Sequence, residues 1–254
     1  MEQGARFVPT FRLAAFSFEL LWPFVEHFPL IPYGFPFAMP SSPLRTGIVI
    51  LAAGASRRMG RPKQLLPLGE TTLLEHAVDA ALNSTAWPVI VVLGAQAAEI
   101  RPLLARRPVL VAENPTWSEG MASSLRAGLT LMNAFSIRVD AVLFALCDQP
   151  AFSADLVQRF IATQQATQRS VVAARYSGNL GAPALFTRPH FAALSALVGD
   201  EGARKLIAQL PAGEIEAIDL PELAQDLDTP EDYANYRGVS AQPAPAPAPF
   251  KATP

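Results

Sequence analysis

Four cations fall within seven residues of one small-residue segment, Leu51-Ala52-Ala53-Gly54-Ala55-Ser56-Arg57-Arg58-Met59-Gly60-Arg61-Pro62-Lys63. It follows directly on the apolar run Gly47-Ile48-Val49-Ile50-Leu51. A β-branched run that ends in Ala, Gly and Ser reads as a buried parallel strand emptying into a tight loop. Small residues let backbone N–H groups approach a ligand, and successive N–H groups form an anion-binding concavity. With Arg57, Arg58, Arg61 and Lys63 added, the chemistry of the loop is polyphosphate binding. It is not a P-loop, because Gly54 and Gly60 are spaced wrongly and Gln64 follows Lys63. Nor is it the dinucleotide fingerprint G-x-G-x-x-G, since Ala55 and Ser56 follow Gly54.

Asp148 ends a second apolar run, Asp140-Ala-Val-Leu-Phe-Ala-Leu146, within Cys147-Asp148-Gln149-Pro150. A carboxylate at a strand's carboxyl end, opposite a phosphate cradle, suits Mg²⁺, which takes one or two protein carboxylates and fills its shell with phosphate oxygens and water. Asp148 could instead cap the next helix, but Ser153 fills that role better. A distant cluster, Asp226-Leu227-Asp228-Thr229-Pro230-Glu231-Asp232, divides in two. Thr229 and Pro230 start a helix as N-cap and first helical residue. Asp226 and Asp228 are left over on one side of an expected short strand; Asp228 is the favoured second metal ligand and Asp226 its support. Metal and basic loop imply in-line attack on the α-phosphorus of a nucleoside triphosphate, with Lys63 and Arg58 offsetting charge that develops toward pyrophosphate. An attacking phosphate is already an anion, so no general base is needed. His27, His76 and His190 lie outside these segments and read as structural or surface residues.

The elements that must position these groups alternate. A helix capped by Thr71 or Thr72 runs to Asn83, a strand covers Pro88–Leu93, and a helix follows from Gly94 to Ala105. A strand at Val109–Ala112 precedes a helix starting at Ser118, with Met121, Leu125, Leu129 and Met132 on one face. After the Asp140–Leu146 strand come a helix from Ser153 to Gln165 and a strand at Ser170–Ala174. This is an α/β pattern: one Rossmann-like domain with a mostly parallel mixed sheet and helices on both faces. In such sheets ligands sit beyond the carboxyl ends of strands, so the basic loop, the segment after Val111 and the Asp148 turn should share one rim.

At 254 residues, half of them hydrophobic and 17% charged, the chain can bury one sizeable core. A net charge of -2 gives no footprint for nucleic acid or an acidic membrane surface. Cys147 is the only cysteine, which rules out an internal disulfide and a cysteine zinc site and fits a cytoplasmic protein. The prolines cluster at the ends. Residues 1–44 read as a Pro-rich apolar extension, 45–237 as the folded domain, and 238–254 as a disordered Pro/Ala tail. Glu19, Pro23, Glu26 and His27 interrupt every window long enough for a transmembrane helix. Met39-Pro-Ser-Ser-Pro resembles an ordinary protein start, so the segment before it is expected to be an upstream extension, and nothing in its pattern specifies a docking partner.

The loop resembles the signature L-A-[AG]-G-x-S-x-R-M-G-x-x-K of nucleotidyltransferases acting on sugar phosphates and on molybdenum cofactor. The likeness extends through Asn114-Pro-Thr-Trp117-Ser-Glu-Gly120-Met121-Ala-Ser123-Ser124-Leu125, Cys147-Asp148-Gln149-Pro150, Gly181-Ala182-Pro183-Ala184-Leu185-Phe186, Gly199-Asp200-Glu201-Gly202-Ala203-Arg204 and Asp226-Leu-Asp228-Thr-Pro230-Glu-Asp232. In that order these segments are similar to the MobA-like NTP transferases. The resemblance implies catalysis by Arg58, Lys63 and Asp148, and nucleotide binding by Leu51, Ala52, Ala53, Gly54, Ser56, Arg58, Gly60, Lys63, Asn114, Gly120, Ser123 and Ser124. It further implies acceptor binding by Gln149, Gly181, Pro183, Asp200 and Arg204, and Mg²⁺ on Asp148 and Asp228. Ala182 stands where many relatives have His. Read without the family, Gly181-Ala182-Pro183 is a turn into an edge strand Ala184–Phe186, and Asp200 a helix cap.

Ala53 at the third loop position resembles the cytidylyl branch, which implies transfer of CMP from CTP to the phosphate of molybdenum-bound molybdopterin, in service of xanthine-dehydrogenase-type hydroxylases. A molybdenum hydroxylase or its accessory protein is the implied protein partner. A guanylyltransferase using GTP on the same acceptor, a sugar- or polyol-phosphate enzyme, and a non-catalytic cofactor chaperone remain open.

Overall fold

The computed structural model describes residues 44–240 except Ser136 and Glu201. Of the extension expected over 1–44 only Leu44 is described, the start expected at Met39 lies outside these residues, and so does the tail expected over 238–254 from residue 241 on. In chain order the elements are β1 (Thr46–Ala52), β2 (Pro67–Leu68), β3 (Thr71–Thr72), α1 (Leu73–Leu82), β4 (Val89–Leu93), α2 (Ala97–Ile100), β5 (Leu110–Glu113), α3 (Met121–Ala134), β6 (Ala141–Leu146), α4 (Ala154–Thr167), β7 (Val171–Tyr176), β8 (Asn179–Thr187), α5 (Phe191–Ser195), α6 (Gly202–Gln209), β9 (Ile215–Asp219) and α7 (Pro230–Ser240). The last helix runs past the boundary expected at 237. Among the described residues no helix is long and apolar enough to cross a membrane.

Seven strands form one sheet in the order β5-β4-β1-β6-β8-β7-β9. β1 pairs in parallel with β4 and β6, and β8 alone runs against its neighbours β6 and β7. The result is the expected mixed, mostly parallel sheet of a Rossmann-like α/β fold. Period-2 alternation divides each central strand between two apolar layers. Ile48, Ile50 and Ala52 pack with Leu74, Val78, Phe152 and Phe160, the face covered by α1 and α4. Val49 and Leu51 pack with Leu125, Leu129, Phe191 and Leu206, the face covered by α3, α5 and α6. β1 is buried along its whole length.

Local signals hold at several helix ends. Thr72 caps α1 in a reciprocal box: its Oγ1 accepts from Glu75 N at 3.3 Å, and Glu75 Oε2 accepts from Thr72 N at 2.9 Å. Ser153 Oγ accepts from Leu156 N at 3.3 Å, so Ser153 caps α4 and Asp148 is free for other work. Four expectations need correction. The helix expected from Gly94 to Ala105 is a single α-turn followed by a 3-10 turn over Arg101–Leu104, because Pro102 has no N–H to continue the ladder. α3 starts at Met121 rather than Ser118, since Gly120 at φ 107° turns the chain after a separate 3-10 turn at Trp117–Glu119. Gly181 and Pro183 do not lead into an edge strand. They lie within β8, between β6 and β7, where the register shifts opposite Ala173/Ala174, and this irregularity accommodates a residue with no donor. Asp226 and Asp228 lie in irregular chain, not in a strand.

Candidate active site

The basic loop leaves β1 at Ala52 and turns back on itself at Ser56, whose φ is +52° and whose carbonyl accepts from Met59 N at 3.0 Å and Gly60 N at 3.1 Å. Ser56 Oγ accepts from Lys63 N at 3.0 Å, which closes the loop. Gln64 is fully buried beneath it and donates through Nε2 to Ala52 O at 2.8 Å and Gly54 O at 3.1 Å. The amide thereby ties the last residue of β1 to the start of the loop.

Met59 leaves the loop for a small apolar cluster with Leu66, Leu73, Leu227 and Tyr233. Leu227 sits between the two aspartates of the distant segment, and its N–H donates to Asp148 O at 3.2 Å. Packing of Met59 on Leu227 therefore brings the loop, the Asp148 turn and the Asp226–Asp228 segment to one place. Asp226 and Asp228 flank the buried Leu227, and both line the same cavity. Downstream, Thr229 Oγ1 accepts from Asp232 N at 3.1 Å while Asp232 Oδ2 accepts from Thr229 N at 2.8 Å, the expected helix start.

At this meeting point Lys63 Nζ donates to Asp148 Oδ2 and, at 3.2 Å, to Asp228 Oδ1. Arg58 Nη2 donates to Asp228 Oδ2 at 2.7 Å. Burial works against the charge on Lys63, but Asp148 and, with a smaller effect, Asp228 outweigh it and raise its pKa, so Lys63 is a permanent cation. Burial first, then the neighbouring Asp148 carboxylate, push Asp226 up to about 6. The Cys147 thiol is pushed up to about 12 by burial and by Asp148, and is inert as a nucleophile. Among the described residues three buried side-chain oxygens have no hydrogen-bond partner: Asp148 Oδ1, Asp226 Oδ1 and Gln149 Oε1. Orphaned carboxylate oxygens are the ligand type a hard divalent cation takes, although among the described residues no three His, Cys, Asp or Glu side chains are grouped closely enough to hold one by themselves.

Two cavities adjoin here. One of about 440 Å³ is lined by Ala52, Ala53, Gly54, Ser56, Trp117 and Ser124, among others. The second, about 780 Å³, runs beside Tyr176, Gly181, Arg204, Asp226 and Asp228. Leu51, Lys63, Met121, Leu146, Asp148 and Asp200 line both. The expected rim thus exists, with the lysine and the carboxylate at the joint. Gly120 lines the smaller cavity, and a Cβ there would lie 2.3 Å from Asp200 Oδ1, so its lack of a side chain lets the Asp200 loop close on α3. Arg58 lines the larger cavity. Asn114 and Ser123 line neither. Asn114 Nδ2 donates to Ser123 Oγ at 2.8 Å and Ser124 Oγ at 3.1 Å, pinning the strand end to α3 behind the wall. Gly60, Gln149 and Pro183 also stand back from both cavities, Gly60 as a positive-φ turn residue and Gln149 as a buried prop. His76 and His190 bond Phe152 O and Ser170 Oγ, as structural residues do.

Gln64, Tyr176 and the apolar wall of the larger cavity were not visible in the sequence pattern. A buried amide beside a lysine has no periodic signature, and Tyr176 ends a strand that reads only as core.

The family described as a MobA-like NTP transferase domain matches residues 48–214. The chain is 35% identical over 201 residues to a nicotine blue oxidoreductase of Paenarthrobacter nicotinovorans, covering 74% of this chain and 94% of that one. It is 33% identical over 201 residues to the purine catabolism protein PucB of Bacillus subtilis, with the same coverage of 74% and 94%. A molybdenum cofactor guanylyltransferase of Vibrio parahaemolyticus is 28% identical (76% and 96% covered), and the molybdenum cofactor cytidylyltransferase of Escherichia coli 22% (73% and 92%). Among solved structures, Rv0371c of Mycobacterium tuberculosis in complex with manganese superposes with a TM-score of 0.60 at 30% identity, covering 75% of this chain and 97% of that one.

Proposed function

The chain belongs to the MobA-like NTP transferase family, a nucleotidyltransferase family acting on phosphate-bearing acceptors, and within it we propose that this protein transfers CMP from CTP to the phosphate of molybdenum-bound molybdopterin. The observation that carries the reading is the pair of adjoining cavities with Lys63 and Asp148 at their joint. A transfer reaction needs two ligands meeting at one charged point, and this is such a point. The nucleotide occupies the smaller cavity against the loop, and the acceptor the larger.

An oxygen of the acceptor phosphate attacks the α-phosphorus; a new P–O bond forms as the bond to the β-phosphate oxygen breaks, and pyrophosphate leaves. Lys63, charged at all working pH values, stabilises the charge gathering on the leaving group, and Arg58 supports it from the rim. Asp148, with Asp226 and Asp228 nearby, would hold Mg²⁺; manganese in the related Rv0371c structure supports that assignment. When bound, Mg²⁺ would screen phosphate charge and orient the triphosphate. A cytoplasmic location and a molybdenum hydroxylase as the recipient of the product complete the reading.

The guanylyltransferase relative, more similar than the cytidylyltransferase, supports GTP as a second reading. The oxidoreductase name of the Paenarthrobacter relative is not carried over, because the phosphate loop departs from G-x-G-x-x-G. Pyrophosphate release is measured with Mg²⁺, molybdenum-loaded molybdopterin and CTP, GTP, ATP or UTP in turn. Signal with CTP is the expected result; GTP preference moves the protein to the other branch, and silence with all four refutes the acceptor.

A further inference from the structure

Apart from the two apolar layers of the sheet there is a third, small core of Met59, Leu66, Leu73, Leu227 and Tyr233. Its members come from the segments that carry the charged groups of the joint. Met59 belongs to the phosphate loop, Leu227 stands between Asp226 and Asp228, and Tyr233 comes from α7. Tyr233 is 7% exposed and lines neither cavity, so a ligand there does not touch it. Its Oη donates to Pro67 O at 2.7 Å. The Arg61 guanidinium lies over its ring, with Cζ 5.8 Å from the centroid, within cation–π range. Arg61 lines neither cavity, so this cation of the loop leans on α7 rather than on a bound phosphate. One residue before Tyr233, Asp232 Oδ2 accepts from Asp228 N at 3.3 Å and Thr229 N at 2.8 Å. The first turn of α7 therefore also sets the backbone of Asp228.

Two kinds of tie thus join the loop to the Asp226–Asp228 segment. The ionic ones run from Lys63 and Arg58 to Asp228. A triphosphate held by Lys63 and Arg58 draws both cations off that carboxylate, so these ties are lost when the site is used. Among the described residues, the ties that remain run through the small core: the shared burial of Met59 and Leu227, and Tyr233 against Pro67 and Arg61. We infer that Tyr233 is a positioning residue, which keeps the phosphate loop in register with the Asp226–Asp228 segment once a metal-bound triphosphate has drawn Lys63 and Arg58 off Asp228. Segments already held in place do not have to be ordered by the ligand, and affinity gains by that saving. Tyr233 lies beyond residues 48–214, which match the family. The inference rests on the proposed reading of the joint as a triphosphate site.

Its test uses the full chain and three variants. Tyr233→Phe keeps the ring and loses only the bond to Pro67, whereas Tyr233→Leu also removes the ring beneath Arg61. Ser153→Ala loses the α4 cap at a position lining neither cavity, and is the control for a comparable loss of stability. CTP and GTP are titrated by calorimetry with Mg²⁺ and with chelator, and each protein is melted thermally. With Mg²⁺, affinity is expected to fall about 3- to 10-fold in Tyr233→Phe, the range of one neutral hydrogen bond. It falls about 10- to 50-fold in Tyr233→Leu, where the cation–π contact is lost as well. In chelator the loop's backbone alone holds the triphosphate, and affinity stays within about twofold throughout. Ser153→Ala stays within about twofold in both conditions, because distant sites act independently. Wild-type affinity in Tyr233→Leu with Mg²⁺, an equal loss with Mg²⁺ and with chelator, or the same loss in Ser153→Ala overturns the inference and leaves the transferase reading in place. A wild type that binds neither nucleotide with Mg²⁺ overturns both. If Tyr233→Leu does not fold, Tyr233→Phe decides alone.

Discussion

Replacing Lys63 by alanine removes the cation at the joint of the two cavities. Its side chain is 15% exposed and contacts Asp148, 12% exposed, and Asp228, 31% exposed. The charge it presents to the leaving pyrophosphate resembles one donor of a preorganised oxyanion site, worth about 3–4 kcal/mol of the barrier, so kcat should fall about 10²–10³-fold. The ground state changes too. The nearly buried Asp148 loses its cationic partner while Asp228 keeps Arg58, at about 1–3 kcal/mol of stability, or a fall in Tm of roughly 2–10 °C. The lost cation also stops competing for the carboxylates, so a divalent metal should stabilise the variant more than the wild type. Pyrophosphate release under saturating substrates gives the first quantity, and thermal melts with and without 5 mM-scale Mg²⁺, about that order, give the others. A variant whose kcat stays within about fivefold of wild type removes Lys63 from the mechanism. A variant whose melt ignores Mg²⁺ removes the argument that lysine and metal share ligands.

Gln64→Leu leaves the carbonyls of Ala52 and Gly54 without a donor beneath the loop. It should cost about 2–3 kcal/mol and weaken nucleotide binding, read by melts and titration. Thr72→Ala breaks the α1 cap and should cost about 1 kcal/mol with turnover unchanged, because Thr72 lines neither cavity. Asp226 has a pKa raised to about 6 in the folded chain against 3.8 otherwise, so the folded chain holds a proton the unfolded chain gives up. Metal-free stability should therefore fall as pH rises from about 4 through 6, and Asp226→Asn should abolish that fall, about 1 kcal/mol after solvent screening of a partly exposed group.

The strand–loop–strand plan was legible because its signals are local or periodic. The buried run before Ala52, the capping residues Thr72 and Ser153, and the helix start at Thr229-Pro230 each act within a few residues of themselves. Chemistry at strand ends was legible for the same reason: Lys63 and Asp148 follow β1 and β6, adjacent parallel strands, and must meet. What escaped depended on tertiary partners. The position of β8 between β6 and β7 is set by which strands it pairs with, and Pro183 argued for an edge until the bulge was seen to absorb it. β9 was not anticipated, since Glu216 interrupts a short run on the sheet's border. Asp226 and Asp228 were placed on one side correctly but for a different cause, the anchoring of Leu227 under Met59 rather than strand pleating.

The charge balance of the joint leads to one more expectation. Asp148, Asp226 and Asp228 stand against Lys63 and Arg58, whose cationic groups are already engaged by two of those carboxylates. A free triphosphate entering this site would add several negative charges beside carboxylates whose cationic partners Lys63 and Arg58 are already engaged. It would also have to strip Lys63 from Asp148 without giving that carboxylate another partner, and an unpaired buried carboxylate is strongly disfavoured. A triphosphate carrying a divalent cation supplies the partner as it arrives: the carboxylates gain a cation while Lys63 and Arg58 gain phosphate oxygens. Nucleotide affinity should accordingly rise by about two orders of magnitude or more on adding Mg²⁺ and collapse on chelation, whereas Mg²⁺ alone should bind the wild type weakly. Calorimetric titration of CTP and GTP with Mg²⁺, with manganese and with chelator measures this directly. Equal affinity with and without divalent metal would mean that the triphosphate is held by the loop's backbone and arginines alone, away from the three aspartates.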